Sequence, residues 1–106
     1  MRKRGPVLFG KALDEFLKNM GVERPVKEGM AIEKWNEVVG PYIANVSKPE
    51  KIENGVLYVK VINPVWKHHL FMLRREIINK LNDSLKFNAV REIVFIDSGN
   101  DFLKTK

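Results

Sequence analysis

The dipeptide Asn54-Gly55 constrains the fold of this chain more than any other feature of the sequence. Asn-Gly between two apolar runs is the strongest short-range signal for a β-hairpin, because both residues tolerate the positive φ angles of a two-residue turn. We therefore predict one strand over residues 47–53 and a second over residues 56–62. Pro49 has no backbone N–H to donate, so the first strand is expected at an edge of the sheet.

The two-residue turn also sets the register of the hairpin. It pairs Ile52 with Leu57 and Lys51 with Tyr58, and side chains alternate between the two faces of a strand. The face expected to lie in the core carries Ile52, Leu57, Val59 and Val61. The opposite face carries Lys51, Tyr58 and Lys60.

A long helix is predicted immediately after the hairpin. Asn63 is a good N-cap residue, and Pro64 suits the first helical position, where its missing N–H costs nothing. The helix is expected to run to about Leu85 and to be followed by a last strand over residues 90–96. Its apolar stripe contains Trp66, Leu70, Leu73, Ile77 and Leu81.

The first part of the chain predicts two further helices. Apolar residues recur at spacings of three and four up to Met20, which indicates one helical stripe that stops at Gly21. Arg24-Pro25 is interpreted as a loop, and a second helix is expected over residues 27–39. Gly40-Pro41 then predicts a bend followed by a further helical turn.

These elements predict an α+β fold with the order α-α-β-β-α-β. A strand–helix–strand connection favours parallel pairing and the hairpin is antiparallel, so we expect a mixed three-stranded sheet with the helices on one face. At 106 residues the chain is expected to form a single domain. We divide it into a basic arm at 1–6, a folded core at 7–96 and a polar tail at 97–106.

Composition indicates the compartment and the class of partner. The chain has no cysteine, and no run is apolar enough for a signal peptide or a membrane span, so we expect a cytoplasmic protein without a membrane partner. Association with the nucleoid is compatible with this expectation. The formal net charge of +6 attracts the chain to phosphate polymers such as nucleic acids.

No catalytic constellation is visible in the sequence. His68 and His69 are adjacent on a helix and point about 100° apart, so they do not suit a shared metal ion. The carboxylates are scattered, and there is neither a phosphate-binding glycine loop nor a nucleophile–histidine arrangement. We therefore expect no enzymatic activity, no metal, no cofactor and no small-molecule substrate.

Basic residues cluster on the N-terminal arm, on one flank of the long helix and on the outer face of the hairpin. A ring between two amines, as at Tyr58, suits a stacked base with neutralised phosphates. An alternative interpretation also stays open, in which lysine and tyrosine form a favourable cross-strand pair on a solvated face. The candidate nucleic-acid contacts are Arg2, Lys3, Arg4, Lys51, Tyr58, Lys60, Lys67, Arg74 and Arg75.

Four motifs in order resemble those of the DciA-like family. They are a W-x-x-V-V-G-x-x-I-A helix from Trp35 to Ala44, a G-x-L-x-V strand from Gly55, a W-x-x-x-L helix from Trp66 and a V-x-x-I-x-F strand from Val90. Together they cover about residues 30–96. The motif tryptophans fall on apolar stripes, so we assign both to the core rather than to a binding surface.

The resemblance implies a KH-like fold and a role in chromosome replication, in which family members bind DNA and assist the replicative helicase DnaB. The G-x-x-G loop of RNA-clamping KH domains is missing here, because Gly21 is not followed by a second glycine at Arg24. Many family members also carry a long disordered extension, whereas this sequence reaches Lys106 shortly after the last predicted strand.

The leading hypothesis is a non-enzymatic, sequence-neutral DNA-binding partner of DnaB. An RNA- or ribosome-associated module would use the same basic surface and stays open as an alternative. A purely protein-binding adaptor is a third hypothesis, which a broad apolar patch near Phe71 and Ile78, or around Phe102, would favour.

Overall fold

The computed structural model describes the backbone of residues 4–98 and the side chains of residues 11–98. The fold is α+β, and the order of its long elements is the predicted α-α-β-β-α-β, with a short helix before the hairpin. The elements are α1 (Arg4–Met20), α2 (Glu23–Val39), α3 (Pro41–Ala44), β1 (Ser47–Glu53), β2 (Val56–Val61), α4 (Pro64–Leu85) and β3 (Glu92–Asp97).

The boundaries of the first two helices differ from the prediction. The prediction of a loop at Arg24-Pro25 is wrong, because α2 already begins at Glu23 and Pro25 lies in its first turn. The first backbone N–H groups of a helix have no intrahelical partner, so proline is tolerated there. In the same way α1 begins at Arg4, within the segment predicted as an arm. It ends at Met20, and Gly21, with a φ of +76°, stops it as predicted.

The hairpin has the predicted turn and register. Asn54 and Gly55 have φ angles of 53° and 81°, and Ile52 pairs with Leu57. The strand order β1-β2-β3 places β1 at an edge, as Pro49 indicated. One feature was not predicted: the register shifts between Pro49 and Lys51, which leaves Glu50 as a bulge residue.

The long helix α4 begins where the sequence predicts. The Asn63 side chain accepts a hydrogen bond of 2.9 Å from the backbone N–H of Trp66 and so caps the helix. Strand β3 pairs parallel to β2, as expected, but begins two residues after Val90. The reason is that the Asn82 side-chain amide bonds both backbone groups of Val90, at 2.8 and 3.0 Å.

The core lies between α2, α4 and the inner face of the sheet. Trp35 is fully buried, and its Nε1 donates to the Ser47 hydroxyl at 2.9 Å. That hydroxyl donates in turn to the carbonyl of Ile43, which ties α2, α3 and β1 together. Trp66 is half-buried against the same core. Both motif tryptophans therefore pack in the core, as assigned.

Helix α1 lies at the margin of this core. It is joined to α2 by an ion pair of 3.2 Å between Asp14 and the otherwise buried Lys27. Leu13, Phe16 and Met20 stay largely exposed although the sequence places them on one apolar stripe. Within residues 4–98, no helix has the length and apolar character needed to cross a bilayer.

Candidate nucleic-acid interface

The outer face of the sheet carries the first group of predicted contacts. It is the face that points away from α4, and it presents Lys51, Tyr58 and Lys60 as the hairpin register predicted. The Lys51 ammonium lies 5.2 Å from the centroid of the Tyr58 ring and 3.6 Å from a carboxylate oxygen of Glu53. The cross-strand pair that the sequence left open is therefore formed.

Lys60 is also close to a carboxylate. Its Nζ lies 3.0 Å from Oε1 of Glu50, the residue that the bulge of β1 adds to the strand. A bulge redirects side chains locally, and here it brings an acid to the lysine. The positive charge of the outer sheet face is thus partly balanced by neighbouring glutamates.

The second group of predicted contacts follows one flank of α4. Lys67 Nζ lies 3.4 Å from Asp97, and Arg74 Nε lies 3.3 Å from Glu92. The Arg74 guanidinium also stacks 4.0 Å above the ring of Phe71. Arg75 differs from these residues: it is exposed, and no carboxylate within residues 11–98 forms an ion pair with it. Of the three basic side chains predicted on α4, it is therefore the one that solvent ions reach most easily.

A groove of about 570 Å³ separates this flank of α4 from β3. Its lining is mainly apolar and includes Phe71, Ile93 and Val94, with Lys67 and Arg74 at its sides. Val94 is also the register partner of Tyr58 on β2. The groove and the outer sheet face consequently form one continuous surface, which we call the α4–sheet surface.

The structure brings some predicted contacts together and leaves others undescribed. Five of the predicted contacts lie on the α4–sheet surface, namely Lys51, Tyr58, Lys60, Lys67 and Arg74. Arg75 follows Arg74 on α4 and does not line the groove. Arg2 and Lys3 lie outside the described residues, and only the backbone of Arg4 is described. Phe102 likewise lies outside them. Of the two residues considered for an apolar patch, Phe71 is exposed, whereas Ile78 is buried in the core and contributes nothing to the surface.

Two arginines that the sequence did not single out lie near the hairpin turn and the loop before β3. Arg24 donates to the carbonyl of Asn88 at 3.0 Å and lies over the ring of Phe87 at 5.3 Å. Arg91 donates to the carbonyl of Asn54 at 2.7 Å, at the hairpin turn. The partners are 64 and 37 residues distant along the chain, so no local pattern reveals them. Their role is to hold loops together.

The two histidines lie at the beginning of α4. The rings of His69 and Trp66 form a T-shaped pair, with 5.5 Å between their centroids, and His68 lines the groove. Within the described side chains, no group of three or more histidines, aspartates or glutamates is arranged to hold a metal ion. The α4–sheet surface offers apolar contact, hydrogen-bonding side chains and partly compensated positive charge.

Comparison with known proteins finds a matching family model and several curated relatives. The family model described as "Dna[CI] antecedent, DciA" matches residues 8–95. A UPF0232 protein of Mycobacterium tuberculosis is 31% identical over 90 residues, which are 85% of this chain and 48% of the relative. A UPF0232 protein of Streptomyces coelicolor is 29% identical over 98 residues, 91% of this chain and 52% of the relative. The chain spans about half the length of these curated relatives.

Proposed function

This chain belongs to the DciA family, and we propose on that basis that it is a non-enzymatic DNA-binding protein that assists the replicative helicase DnaB. The match to the family model over residues 8–95 carries the proposal. It supports a role related to helicase loading, in the cytoplasm and at the nucleoid. The formal net charge of +6 supports the DNA-binding part, because a phosphate backbone attracts such a chain without regard to base sequence.

We place the DNA on the outer sheet face, on the basic side chains of α4 and on the N-terminal arm, and not inside the apolar groove. Arg2, Lys3 and Arg4, the predicted contacts at the N-terminus, contribute three positive charges to the net charge of +6. Arg75 would contact a phosphate directly, whereas a phosphate at Lys60 or Lys67 competes with a carboxylate. Exposed ion pairs contribute only about 0–1 kcal/mol, so a phosphate can replace the acid at modest cost. Tyr58 would provide a ring for base stacking once Lys51 moves from its face.

A competition experiment tests the nucleic-acid part of the proposal. The fluorescence anisotropy of a labelled single-stranded oligonucleotide is measured with the full chain at one low salt concentration. Unlabelled single-stranded DNA, duplex DNA and structured RNA are then added in turn. DNA competing at least as well as RNA agrees with the proposal, whereas a clear preference for structured RNA would favour the RNA- or ribosome-associated alternative.

The helicase part needs a separate experiment. The tagged chain is used to capture proteins from native cytoplasm, with and without nuclease treatment, and DnaB is detected by mass spectrometry. Recovery of DnaB after nuclease treatment indicates direct contact between the two proteins. Loss of DnaB under nuclease means that DNA bridges them, and absence of DnaB in both samples contradicts a helicase partner.

A further inference from the structure

The outer edge of β3 is unpaired within residues 4–98. The sheet order is β1-β2-β3, and β3 pairs only with β2. The N–H of Glu92 donates to the carbonyl of Gly55, just before β2, and the N–H of Ser98 donates to that of Val61, the last residue of β2. Because successive N–H groups of a strand point to opposite edges, those of Ile93, Phe95 and Asp97 point away from β2. An unpaired edge of this kind is a template for another strand.

One side chain already supplies a hydrogen-bond acceptor at this edge, where a neighbouring strand would supply one. The N–H of Ile93 donates to Oε1 of Glu92 at 3.0 Å, so a carboxylate accepts where the carbonyl of a neighbouring strand would accept. The same oxygen receives the hydrogen bond from Nε of Arg74 at 3.3 Å. The Glu92 carboxylate is therefore a substitute acceptor at the edge of the sheet, held in place from α4.

The groove between this edge and α4 has the form of a peptide site. Its wall on the α4 side presents the Phe71 ring, which is 51% exposed, and its other wall is the free edge of β3. Peptides that add to a sheet edge combine main-chain hydrogen bonds with pockets for alternate side chains. The free edge of β3, the groove beside it and the exposed Phe71 ring together provide both the main-chain and the side-chain contacts of such a site.

The charges of the groove favour a polypeptide over a polyanion. Lys67 is paired with Asp97 and Arg74 with Glu92, so each cation at the sides of the groove has a carboxylate partner. A phosphate chain in the groove would meet both carboxylates. An uncharged backbone with an apolar side chain meets the apolar lining and the outward-pointing amides of β3 without this repulsion.

We propose that the groove between α4 and the free edge of β3 binds an extended segment of a partner protein with apolar side chains at alternate positions. The segment adds to the sheet as a fourth strand, and one of its carbonyls replaces Glu92 at the N–H of Ile93. A side chain of the segment packs on Phe71. This site is additional to the proposed DNA contacts and does not rest on them.

The test begins with a random octapeptide library displayed on phage, selected against the full chain. The enriched peptide is synthesised with a fluorescent label, and its affinity is measured by anisotropy. We expect alternating apolar residues in the enriched sequences and slower hydrogen exchange at the amides of Phe95 and Asp97 when the peptide is bound. N-methylation of a peptide amide should abolish binding only at those alternate positions whose N–H faces β3. N-methylation at the intervening positions should leave binding unchanged.

Two variants of α4 locate the site. Phe71→Ala should weaken peptide binding by roughly tenfold or more, as expected for an aromatic anchor. Met72→Ala is the matched control, because Met72 is 70% exposed on the same helix and does not line the groove. Both variants should fold, which circular dichroism verifies. Glu92→Ala should strengthen peptide binding, because it removes the substitute acceptor.

Several results would overturn the proposal. Failure to select any peptide, equal affinity for Phe71→Ala and Met72→Ala, or unprotected β3 amides would each do so. Protection of the same amides by a single-stranded oligonucleotide alone would assign the groove to nucleic acid. A dimer of the chain in sedimentation that Phe71→Ala abolishes would assign the edge to a second copy. In contrast, if Arg75→Ala loses DNA binding while its peptide affinity is unchanged, this supports a peptide site that is separate from the DNA contacts.

Discussion

Gly55 has a positive φ in the hairpin turn, whereas Gly29 lies within a helix. Substitution by alanine should therefore destabilise the fold at Gly55 and stabilise it at Gly29. Gly55 has a φ of +81°, and a Cβ there would lie 3.0 Å from Cγ of Arg91. Alanine in that region costs about 1–2 kcal/mol. Gly29 lies within α2, and a Cβ added there would have no neighbouring atom within 4 Å. Gly29→Ala should therefore stabilise the helix by about 0.5–1 kcal/mol.

Urea denaturation of both variants measures these effects. The expected result is a lower midpoint for Gly55→Ala and a higher midpoint for Gly29→Ala, each with an unchanged slope. A raised midpoint for Gly55→Ala would contradict the positive φ assigned to the hairpin turn. A lowered midpoint for Gly29→Ala would contradict its open position within α2.

Single residues with strong local preferences were predictable from the sequence. Asn54-Gly55 and Asn63-Pro64 act through their own backbone conformation and capping, so the turn and the start of α4 lie where they were predicted. The ion pairs of the candidate surface were not predictable. Asp97 meets Lys67 across 30 positions of sequence, and only the parallel pairing of β3 with β2 brings them together.

At the scale of elements, α1 and α4 should differ in local stability. Helix α4 packs its buried residues against both α2 and β3, whereas α1 leaves Leu13, Phe16 and Met20 largely exposed. Local opening free energies follow the number of buried apolar contacts. The amides of residues 11–20 should therefore exchange with deuterium well before those of residues 70–81. Equal protection of the two helices would show that the exposed stripe of α1 is covered in solution.

The ends of elements were harder to predict than their existence. A proline early in a helix looks the same in sequence as a proline in a loop, so the start of α2 was placed four residues too late. The start of β3 depends on the Asn82 amide, which takes both backbone groups of Val90 from the sheet. The bulge at Glu50 likewise depends on the pairing between strands rather than on residues 47–53 alone.

At the scale of the whole molecule, the positive charge falls into two groups, one paired with carboxylates on the folded surface and one at the N-terminus. Lys51, Lys60, Lys67 and Arg74 each lie within ion-pair distance of a carboxylate, while Arg2, Lys3 and Arg4 contribute three positive charges. Net charge attracts a polyanion at long range, but paired cations add little at short range. We therefore expect moderate DNA affinity that depends strongly on salt.

Arg75 provides the most specific variant for this expectation. Arg75→Ala removes one phosphate contact. The slope of log K against log salt should therefore become less negative by about 0.7–0.9. Lys80→Ala is the matched control, because Lys80 is also exposed on α4 but already lies 3.6 Å from Glu76. Anisotropy titrations at several salt concentrations compare the two variants. A larger loss in Lys80→Ala than in Arg75→Ala would place the DNA on another face.

The salt dependence of DNA binding by the unmodified chain tests the central claim most directly. Anisotropy titrations of a labelled oligonucleotide between about 50 and 300 mM KCl give log K as a function of log salt. Neutralisation of about four phosphates predicts a linear fall with a slope of roughly −3 to −4. No detectable binding at about 50 mM KCl, or an affinity that does not change with salt, would contradict a DNA-binding function.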